Sequence, residues 1–239
     1  MSVGTFVIGG ELEVSRLGFG AMRICDDRAE GVRVLRRAVE LGANLVDTAD
    51  IYGSGISEEV VADALHPYDG LVIGTKGGIT WKPGAARTRD GRPEYLRAAC
   101  EESLRRLRVD RIDLYQYHRH DPDVPYAEAV GVLEELRLEG KIRLIGLSNV
   151  SIEQLWQAQT ATAIATVQNE YNRWLTTAEE VLRACEAEHI GFMPWSPLGD
   201  GRDDVVRELR WLLDRSPVML PIPGTSSLAH LEELFAWTH

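Results

Sequence analysis

The segment RIDLYQYHRHDPDVPYAEAVGVLEELRLEGKIRLIGLSN, residues 111–149, decides the fold class. It contains two apolar, β-rich runs, 112–118 and 142–148, separated by an amphipathic stretch over 126–139. Two buried strands joined by a helix run parallel, because the helix carries the chain back along the sheet. This unit therefore predicts an α/β fold with a parallel sheet.

The same alternation of strand and helix patterns continues over the whole chain. The predicted strands are 16–20, 44–47, 71–76, 112–118, 142–148, 166–169, 191–195 and 218–222. The predicted helices are 31–41, 57–65, 93–107, 126–139, 151–158, 178–188, 203–215 and 227–237. Eight such repeats in a chain of this length predict a (β/α)8 TIM barrel, for which roughly 250 residues are usual.

Two short alternating runs, 5–8 and 11–14, precede the barrel and are joined by Gly9-Gly10, which predicts an N-terminal β-hairpin. The structural alternative is a doubly wound sheet, which usually has fewer strands and often begins with a GxGxxG turn that this chain lacks. Because the sequence shows no linker, low-complexity tract or break in composition, we expect a single domain over residues 1–239.

The composition excludes several classes of protein. The chain has 239 residues, with 26 Lys and Arg against 37 Asp and Glu, which gives a net charge of −11. A surface of that sign repels phosphate backbones, so we expect no nucleic-acid partner. No apolar run approaches the roughly 20 residues that cross a bilayer, and no export signal is visible. We therefore expect a cytoplasmic protein without a membrane partner, either a monomer or a small homo-oligomer.

Polar side chains end the second, third and fourth predicted strands. Asp47, Lys76 and His118 occupy these positions, and Tyr52 follows Asp47 after one short turn. Because catalysis in (β/α)8 barrels takes place at the C-terminal ends of the strands, these side chains are expected to meet. Taken singly, Asp47 and Lys76 could form a structural salt bridge. His118 could be a core histidine and Tyr52 a surface aromatic, but their joint placement favours a catalytic group.

Such a group suits proton donation to a carbonyl oxygen. The pKa of a free tyrosine is about 10, and the Lys76 ammonium is expected to lower the pKa of Tyr52. Asp47 would keep Lys76 charged, and a neutral His118 would orient the substrate oxygen. The sequence shows no nucleophile with its own base and no His/Cys cluster, so we expect neither acyl transfer nor a metal. A bound hydride donor is then the expected electron source.

Later strand ends carry groups that suit a hydride-donating cofactor. Ser148, Asn149 and Gln168 offer hydroxyl and amide groups to a carboxamide, and Trp195 offers a flat face to a ring. Residues 224–227, GTSS, open the last helix, where free N–H groups and small side chains favour an anion. This last signal is weak by itself, because Ser and Thr are common N-caps.

The chain resembles the aldo-keto reductases from end to end. The matching stretches are GFGAMR (18–23), DTADIYG (47–53), GTKGG (74–78), RLRVDRIDLYQYH (106–118), GKIRLIGLSN (140–149), VQNEYN (167–172), PWSPLG (194–199) and LPIPGTSSLAHLEE (220–233). The resemblance implies an enzyme that reduces an aldehyde or ketone with NADPH, or with NADH in its place. Tyr52 would be its general acid. The alternative is a regulatory or sensor protein that binds NADPH with little turnover, like the β subunits of potassium channels.

The resemblance also implies roles for individual residues. The expected cofactor-binding residues are Gly20, Met22, Arg23, Asp47, Ser148, Asn149, Gln168, Trp195, Ser196, Pro197, Leu198, Gly224, Thr225, Ser226, His230 and Glu233. Tyr52 and His118 would contact the substrate, and Trp81 and Tyr126 would wall its pocket. The segments after the first and seventh strands are shorter than is usual in the family, so we expect these loops to be abbreviated or missing.

Overall fold

Strands and helices alternate along the chain in the computed structural model, which describes residues 3–81, 86–199 and 204–238. The strands are β1 (Thr5–Ile8), β2 (Leu12–Ser15), β3 (Phe19–Gly20), β4 (Leu45–Asp47), β5 (Val72–Gly77), β6 (Ile79–Thr80), β7 (Thr88–Arg89), β8 (Ile112–Tyr117), β9 (Ile142–Ser148), β10 (Thr166–Gln168) and β11 (Gly191–Phe192). The helices are α1 (Arg28–Glu40), α2 (Ile56–Leu65), α3 (Pro93–Leu107), α4 (Tyr126–Leu138), α5 (Ile152–Gln159), α6 (Glu179–Glu188), α7 (Val205–Arg215) and α8 (Leu228–Phe235). Short 3-10 helices span Ala21–Arg23 and Tyr52–Gly55.

The barrel wall is a parallel sheet. Within the described residues, seven strands pair in the order β3-β4-β5-β8-β9-β10-β11, and a helix connects each pair of neighbours. Apolar side chains on the outer face of the sheet pack against these helices and form the larger core, as a βαβ repeat requires. The fold is a (β/α)8 barrel, as the alternation in the sequence predicts. All the predicted helices are present, although the predicted start of α7 at Asp203 lies outside the described residues.

The eighth predicted strand, 218–222, does not form a regular ladder. It still closes the barrel, because Leu220 N donates to Phe192 O (2.8 Å) and Gly18 N donates to Pro221 O (3.0 Å). Gly20 N likewise donates to Pro223 O (3.0 Å). Pro221 and Pro223 have no N–H to donate, so this segment can only accept on that side and a regular strand is interrupted.

The N-terminal hairpin closes the opposite end of the barrel. β1 and β2 pair antiparallel, and Ile8, Leu12 and Val14 pack against residues at the starts of the barrel strands, including Leu45 and Val72. This second apolar cluster lies inside the sheet and seals the N-terminal mouth. The polar side chains that end the strands therefore face the other, open mouth, which is where barrel enzymes carry out their chemistry.

Candidate active site

A buried ion pair lies at the base of the open mouth. The Lys76 ammonium donates to Asp47 Oδ2 (2.6 Å) and to Thr48 O (2.8 Å), and both charged side chains are almost completely buried. Burial alone lowers the pKa of Lys76, but Asp47 and Tyr52 outweigh it and the pKa lies above its ordinary value. Lys76 is therefore a permanent positive charge next to the cavity.

Two glutamines complete the environment of Asp47. Gln116 Nε2 and Gln168 Nε2 both donate to Asp47 Oδ1, at 2.9 and 3.0 Å. Because Lys76 donates to Oδ2, both carboxylate oxygens of Asp47 accept hydrogen bonds, as a buried charge requires. Gln116 is not among the site residues predicted from the sequence. It lies two residues before His118 on the same face of the strand, and that spacing was the available signal.

Tyr52 is positioned by an unusual turn between β4 and α2. Gly53, Ser54 and Gly55 all have left-handed backbone, with φ of 58°, 55° and 92°. A Cβ at Gly53 would lie 2.9 Å from Cys25 Cβ, and one at Gly55 would lie 2.7 Å from Arg106 Cδ. Glycine is therefore required at both positions by conformation and by space. The turn leaves the Tyr52 hydroxyl 3.5 Å from Lys76 Nζ.

The pKa of Tyr52 moves in the direction opposite to the one predicted. Burial raises it above the ordinary value, and the Lys76 charge opposes that rise without reversing it. The prediction considered only the neighbouring ammonium, whereas the tertiary structure removes most of the water from the phenol, and desolvation disfavours a phenolate. Tyr52 thus holds its proton at neutral pH.

His118 stands across the site from Tyr52. The two rings meet edge to face, with centroids 6.1 Å apart. Burial is the main cause of a pKa well below the ordinary value for His118, and the positive charges of Lys76, Arg119 and Arg87 lower it further. The imidazole is therefore neutral, as the sequence predicts. Its buried Nδ1 has no hydrogen-bond partner among the described residues.

The groups predicted to hold a carboxamide converge beside this site. Asn149 has left-handed backbone (φ 58°), which Asn tolerates. Its Nδ2 donates to Ser148 Oγ (2.9 Å) and to His118 O (3.2 Å), while its Oδ1 accepts from Arg119 (2.9 Å) and Trp195 Nε1 (3.1 Å). Its amide is therefore saturated. The Ser148 hydroxyl proton and Gln168 Oε1 remain without a partner among the described residues, which leaves a donor and an acceptor for a ligand.

The mouth opens into a cavity of about 840 Å³. It is lined by most of the predicted site residues, namely Gly20, Met22, Arg23, Asp47, Tyr52, His118, Ser148, Asn149, Gln168, Trp195, Ser196, Pro197, Leu198, Gly224, Thr225, His230 and Glu233. Lys76 lies behind this wall, buried under Tyr52 and Asp47. Ser226 is exposed beside the cavity and does not line it.

Two residues predicted to wall the substrate pocket lie elsewhere. Tyr126 is buried at the start of α4, where its ring packs against Tyr117 and His120, because the first turn of that helix faces the barrel wall. Trp81 follows β6 and is 43% exposed, and it does not line the cavity. Tyr126 and Trp81 are therefore not brought together with the other predicted site residues. Neither placement could be predicted from local sequence, because each depends on packing between distant segments.

Close backbone contact shapes the far end of the cavity. A Cβ at Gly224 would lie 2.2 Å from Gly20 O, and one at Gly20 would lie 2.6 Å from Ile222 O. Both glycines are thus needed where the first and last barrel segments meet. Ser227 caps α8 by accepting from His230 N (3.4 Å), and Thr225 Oγ1 accepts from Ser227 N (3.0 Å).

Fold and site together have the layout of a barrel enzyme, with polar groups gathered at the C-terminal strand ends. The model of the Aldo/keto reductase family matches residues 16–203, and the chain belongs to this family of oxidoreductases. It is 40% identical to an oxidoreductase of Schizosaccharomyces pombe, over 94% of this chain and 81% of the relative. It is 35% identical to pyridoxine 4-dehydrogenase of Escherichia coli, over 99% and 93%.

Solved structures of aldo-keto reductases have a similar fold. The glycerol dehydrogenase of Gluconobacter oxydans superposes with a TM-score of 0.90 at 28% identity, over 100% of this chain and 92% of that chain. An aldo-keto reductase from Klebsiella pneumoniae, solved in complex with NADPH, superposes with a TM-score of 0.81 at 30% identity, over 99% and 89%.

Two features are absent from the described ranges 3–81, 86–199 and 204–238. No group of three or more His, Cys, Asp or Glu side chains is placed to hold a metal ion. Likewise, no helix is long and apolar enough to span a membrane.

Proposed function

We propose that this protein reduces an aldehyde or ketone to an alcohol with NADPH as hydride donor, and that Tyr52 is the general acid. One observation carries the proposal. A protonated Tyr52 hydroxyl lies 3.5 Å from the Lys76 ammonium and beside a neutral His118, at the wall of a cavity large enough for a dinucleotide and a small substrate.

In the proposed reaction, Tyr52 donates its proton to the substrate oxygen as negative charge develops there. The Lys76 ammonium stabilises the phenolate left behind. Asp47 holds Lys76 in place, and Gln116 and Gln168 donate to the other oxygen of Asp47. Neutral His118 orients the carbonyl by a hydrogen bond. When bound, NADPH supplies the hydride.

The residues present fit this cofactor. The Ser148 hydroxyl proton and Gln168 Oε1, both unpaired among the described residues, offer a donor and an acceptor to the carboxamide, and Trp195 lines the same cavity. The middle of the cofactor would be bordered by four further residues that line the cavity, Arg23, Ser196, Pro197 and Leu198. Gly224, Thr225, Ser226, His230 and Glu233 lie at or beside the far end, where the N-terminus of α8 favours a phosphate. The Klebsiella pneumoniae relative in complex with NADPH supports the choice of NADPH over NADH.

The test is the rate of NADPH oxidation with a panel of aldehydes and ketones, including pyridoxal and glyceraldehyde because relatives are named for pyridoxine and glycerol. Tyr52→Phe is expected to lower kcat by about 10²- to 10⁴-fold, the usual contribution of a general acid. NADPH binding, measured by fluorescence, is expected to remain. Tyr68→Phe is the matched control, because that hydroxyl donates to Leu107 O away from the cavity.

Each result discriminates between functions. Turnover that Tyr52→Phe loses and Tyr68→Phe retains supports the reductase. Tight NADPH binding without turnover of any carbonyl in the unmodified protein instead supports a binding or sensor protein of the same fold. Equal turnover by both variants contradicts the role of Tyr52.

A further inference from the structure

Three arginines line one side of the cavity. Arg87 and Arg89 come from the segment around β7, and Arg119 directly follows His118. These positions lie beyond the third and fourth barrel strands, β5 and β8. In a barrel that side is opposite the last strand and α8, where the phosphates of the proposed cofactor would lie. The three guanidiniums thus face the substrate side of the cavity.

None of these arginines is neutralised by a carboxylate in the described part of the chain. Arg89 donates only to His120 O (3.4 Å), and Arg119 donates to the neutral Asn149 Oδ1 (2.9 Å). Arg87 has neither an ion pair nor a hydrogen bond there. Several arginines elsewhere are neutralised: Arg28, Arg37 and Arg97 each contact two carboxylates.

The carboxylates at the cavity do not balance these charges. Asp47 and Glu233 are the acidic residues in the described lining, and Asp47 is bound to Lys76 while Glu233 lies on α8. Among the described residues, this side of the cavity therefore has a positive surface, although the chain as a whole has a net charge of −11. Clefts lined by one sign of charge attract ligands of the other sign.

The positive surface also reaches the reacting groups. Burial is the main cause of the low pKa of His118, and Arg119 and Arg87 are among the charges that lower it further. Burial is likewise the main cause of the raised pKa of Tyr52, and the charge of Arg87 opposes this rise. An anion bound by Arg87 would therefore stand close to a carbonyl held between Tyr52 and His118.

We infer that the carbonyl substrate carries an anionic group, a carboxylate or a phosphate, and that Arg87 binds it together with Arg89 and Arg119. Guanidinium groups suit both anions, because their planar N–H donors match two oxygens at once. This inference rests on the proposed reductase function and adds the class of substrate to it.

The experiment compares pairs of aldehydes in which one member carries an anionic group that the other lacks. Butanal is paired with succinate semialdehyde, and glyceraldehyde with glyceraldehyde 3-phosphate, and kcat/KM is measured for each with saturating NADPH. We expect the anionic member of at least one pair to be favoured about tenfold or more, as a charge-assisted hydrogen bond implies. The carboxylate and phosphate pairs show which anion the site accepts.

Arg87→Gln is expected to lower the anionic-to-neutral ratio of kcat/KM by about tenfold or more. Arg87→Lys should lower this ratio by less, because Lys keeps the positive charge but lacks the planar pair of N–H donors. Arg111→Gln is the matched control, since Arg111 is exposed and directly precedes β8 at the opposite end of the barrel. Its ratio should equal that of the unmodified protein.

Preference for the neutral members, or a ratio that Arg87→Gln leaves unchanged, overturns the inference while the reductase function stands. Failure to reduce any of the four carbonyls, or any other in the panel above, contradicts the proposed function and this inference with it.

Discussion

The energetics of the site depend on a few single residues. Moving an ammonium group out of water costs several kcal/mol unless a counter-charge and hydrogen bonds replace the water. Lys76 receives both from Asp47 and Thr48, and Asp47 in turn accepts from two glutamines. Burial alone would lower the pKa of Lys76, but Asp47 and Tyr52 raise it above its ordinary value, so Tyr52 faces a positive charge.

A second carboxyl group near the site behaves differently. Asp50 directly precedes the turn that holds Tyr52, and its buried Oδ1 has no hydrogen-bond partner in the described chain. Burial raises the pKa of Asp50 from 3.8 to about 8, and the negative charge of Glu58 adds to this, against smaller opposing effects of Arg106 and Lys76. Asp50 is thus protonated in the folded protein at neutral pH.

This protonation makes stability depend on pH. The unfolded chain loses the Asp50 proton near pH 3.8, whereas the folded protein keeps it to about pH 8. The stabilisation is complete below the unfolded pKa and is lost as pH rises to the folded one. Relative to Asp50→Asn, we expect the free energy of unfolding to fall between pH 5 and pH 8, by at most about 1.4 kcal/mol per unit.

Urea denaturation at several pH values measures this difference. Asp63→Asn is the control, because the pKa of Asp63 is shifted in the opposite direction. Hydrogen bonds from Arg28 and Arg108 lower it. Its contribution is lost only as pH falls, so that variant should show no relative change between pH 5 and pH 8. Parallel curves for Asp50→Asn and the unmodified protein would show that Asp50 is ionised.

At the scale of elements, two helical glycines serve different purposes. A Cβ at Gly31 in α1 would lie 2.6 Å from Ile24 O and 3.0 Å from a Val60 methyl group, so the helix packs there through the missing side chain. A Cβ at Gly131 in α4 would meet no atom within 4 Å. The first glycine is needed for packing, whereas the second only lowers helix propensity.

The two Gly→Ala substitutions are therefore expected to act in opposite directions. Gly131→Ala should raise the free energy of unfolding by about 0.5–1 kcal/mol, the difference in helix propensity. Gly31→Ala should lower it by about 1–3 kcal/mol, the usual cost of overpacking. Thermal and urea unfolding of the two variants measure these changes in the free energy of unfolding. A loss of stability in Gly131→Ala would mean that α4 packs more closely than its geometry indicates.

At the scale of the whole molecule, barrel closure depends on contacts between the two ends of the chain. The Arg16 guanidinium donates to Leu213 O (2.7 Å), Ser216 O (2.6 Å) and Met219 O (3.4 Å). Arg16 precedes the first barrel strand, and the three carbonyls belong to the end of α7 and the start of the closing segment. One side chain thus joins the first and last repeats.

Replacing Arg16 should weaken this closure. Arg16→Met is expected to lower the free energy of unfolding by about 2–4 kcal/mol, since hydrogen bonds from a charged donor are lost and carbonyls remain unsatisfied. Arg111→Met, at an exposed position, should change it by no more than about 0.5 kcal/mol. Equal urea midpoints for the two variants would contradict a closing role for Arg16.

The sequence by itself determined the (β/α)8 architecture and most residues around the cavity. Both depend on local signals, because the period of apolar residues separates helices from strands, and parallel strands bring their final residues to one edge. Asp47, Lys76 and His118 could therefore be predicted to converge. The Ser148 hydroxyl proton, unpaired among the described residues, and the saturated Asn149 amide could not, since they depend on hydrogen bonds that include side chains far apart in the chain.

Only the tertiary structure decided features that depend on packing between distant segments. It brought Gln116 to Asp47, turned Tyr126 toward the barrel wall, and replaced the eighth strand with a proline-interrupted segment. It also decided the direction of the Tyr52 pKa, which the sequence predicted wrongly. A neighbouring charge can be read from strand order, but the amount of water removed from a phenol depends on everything that surrounds it.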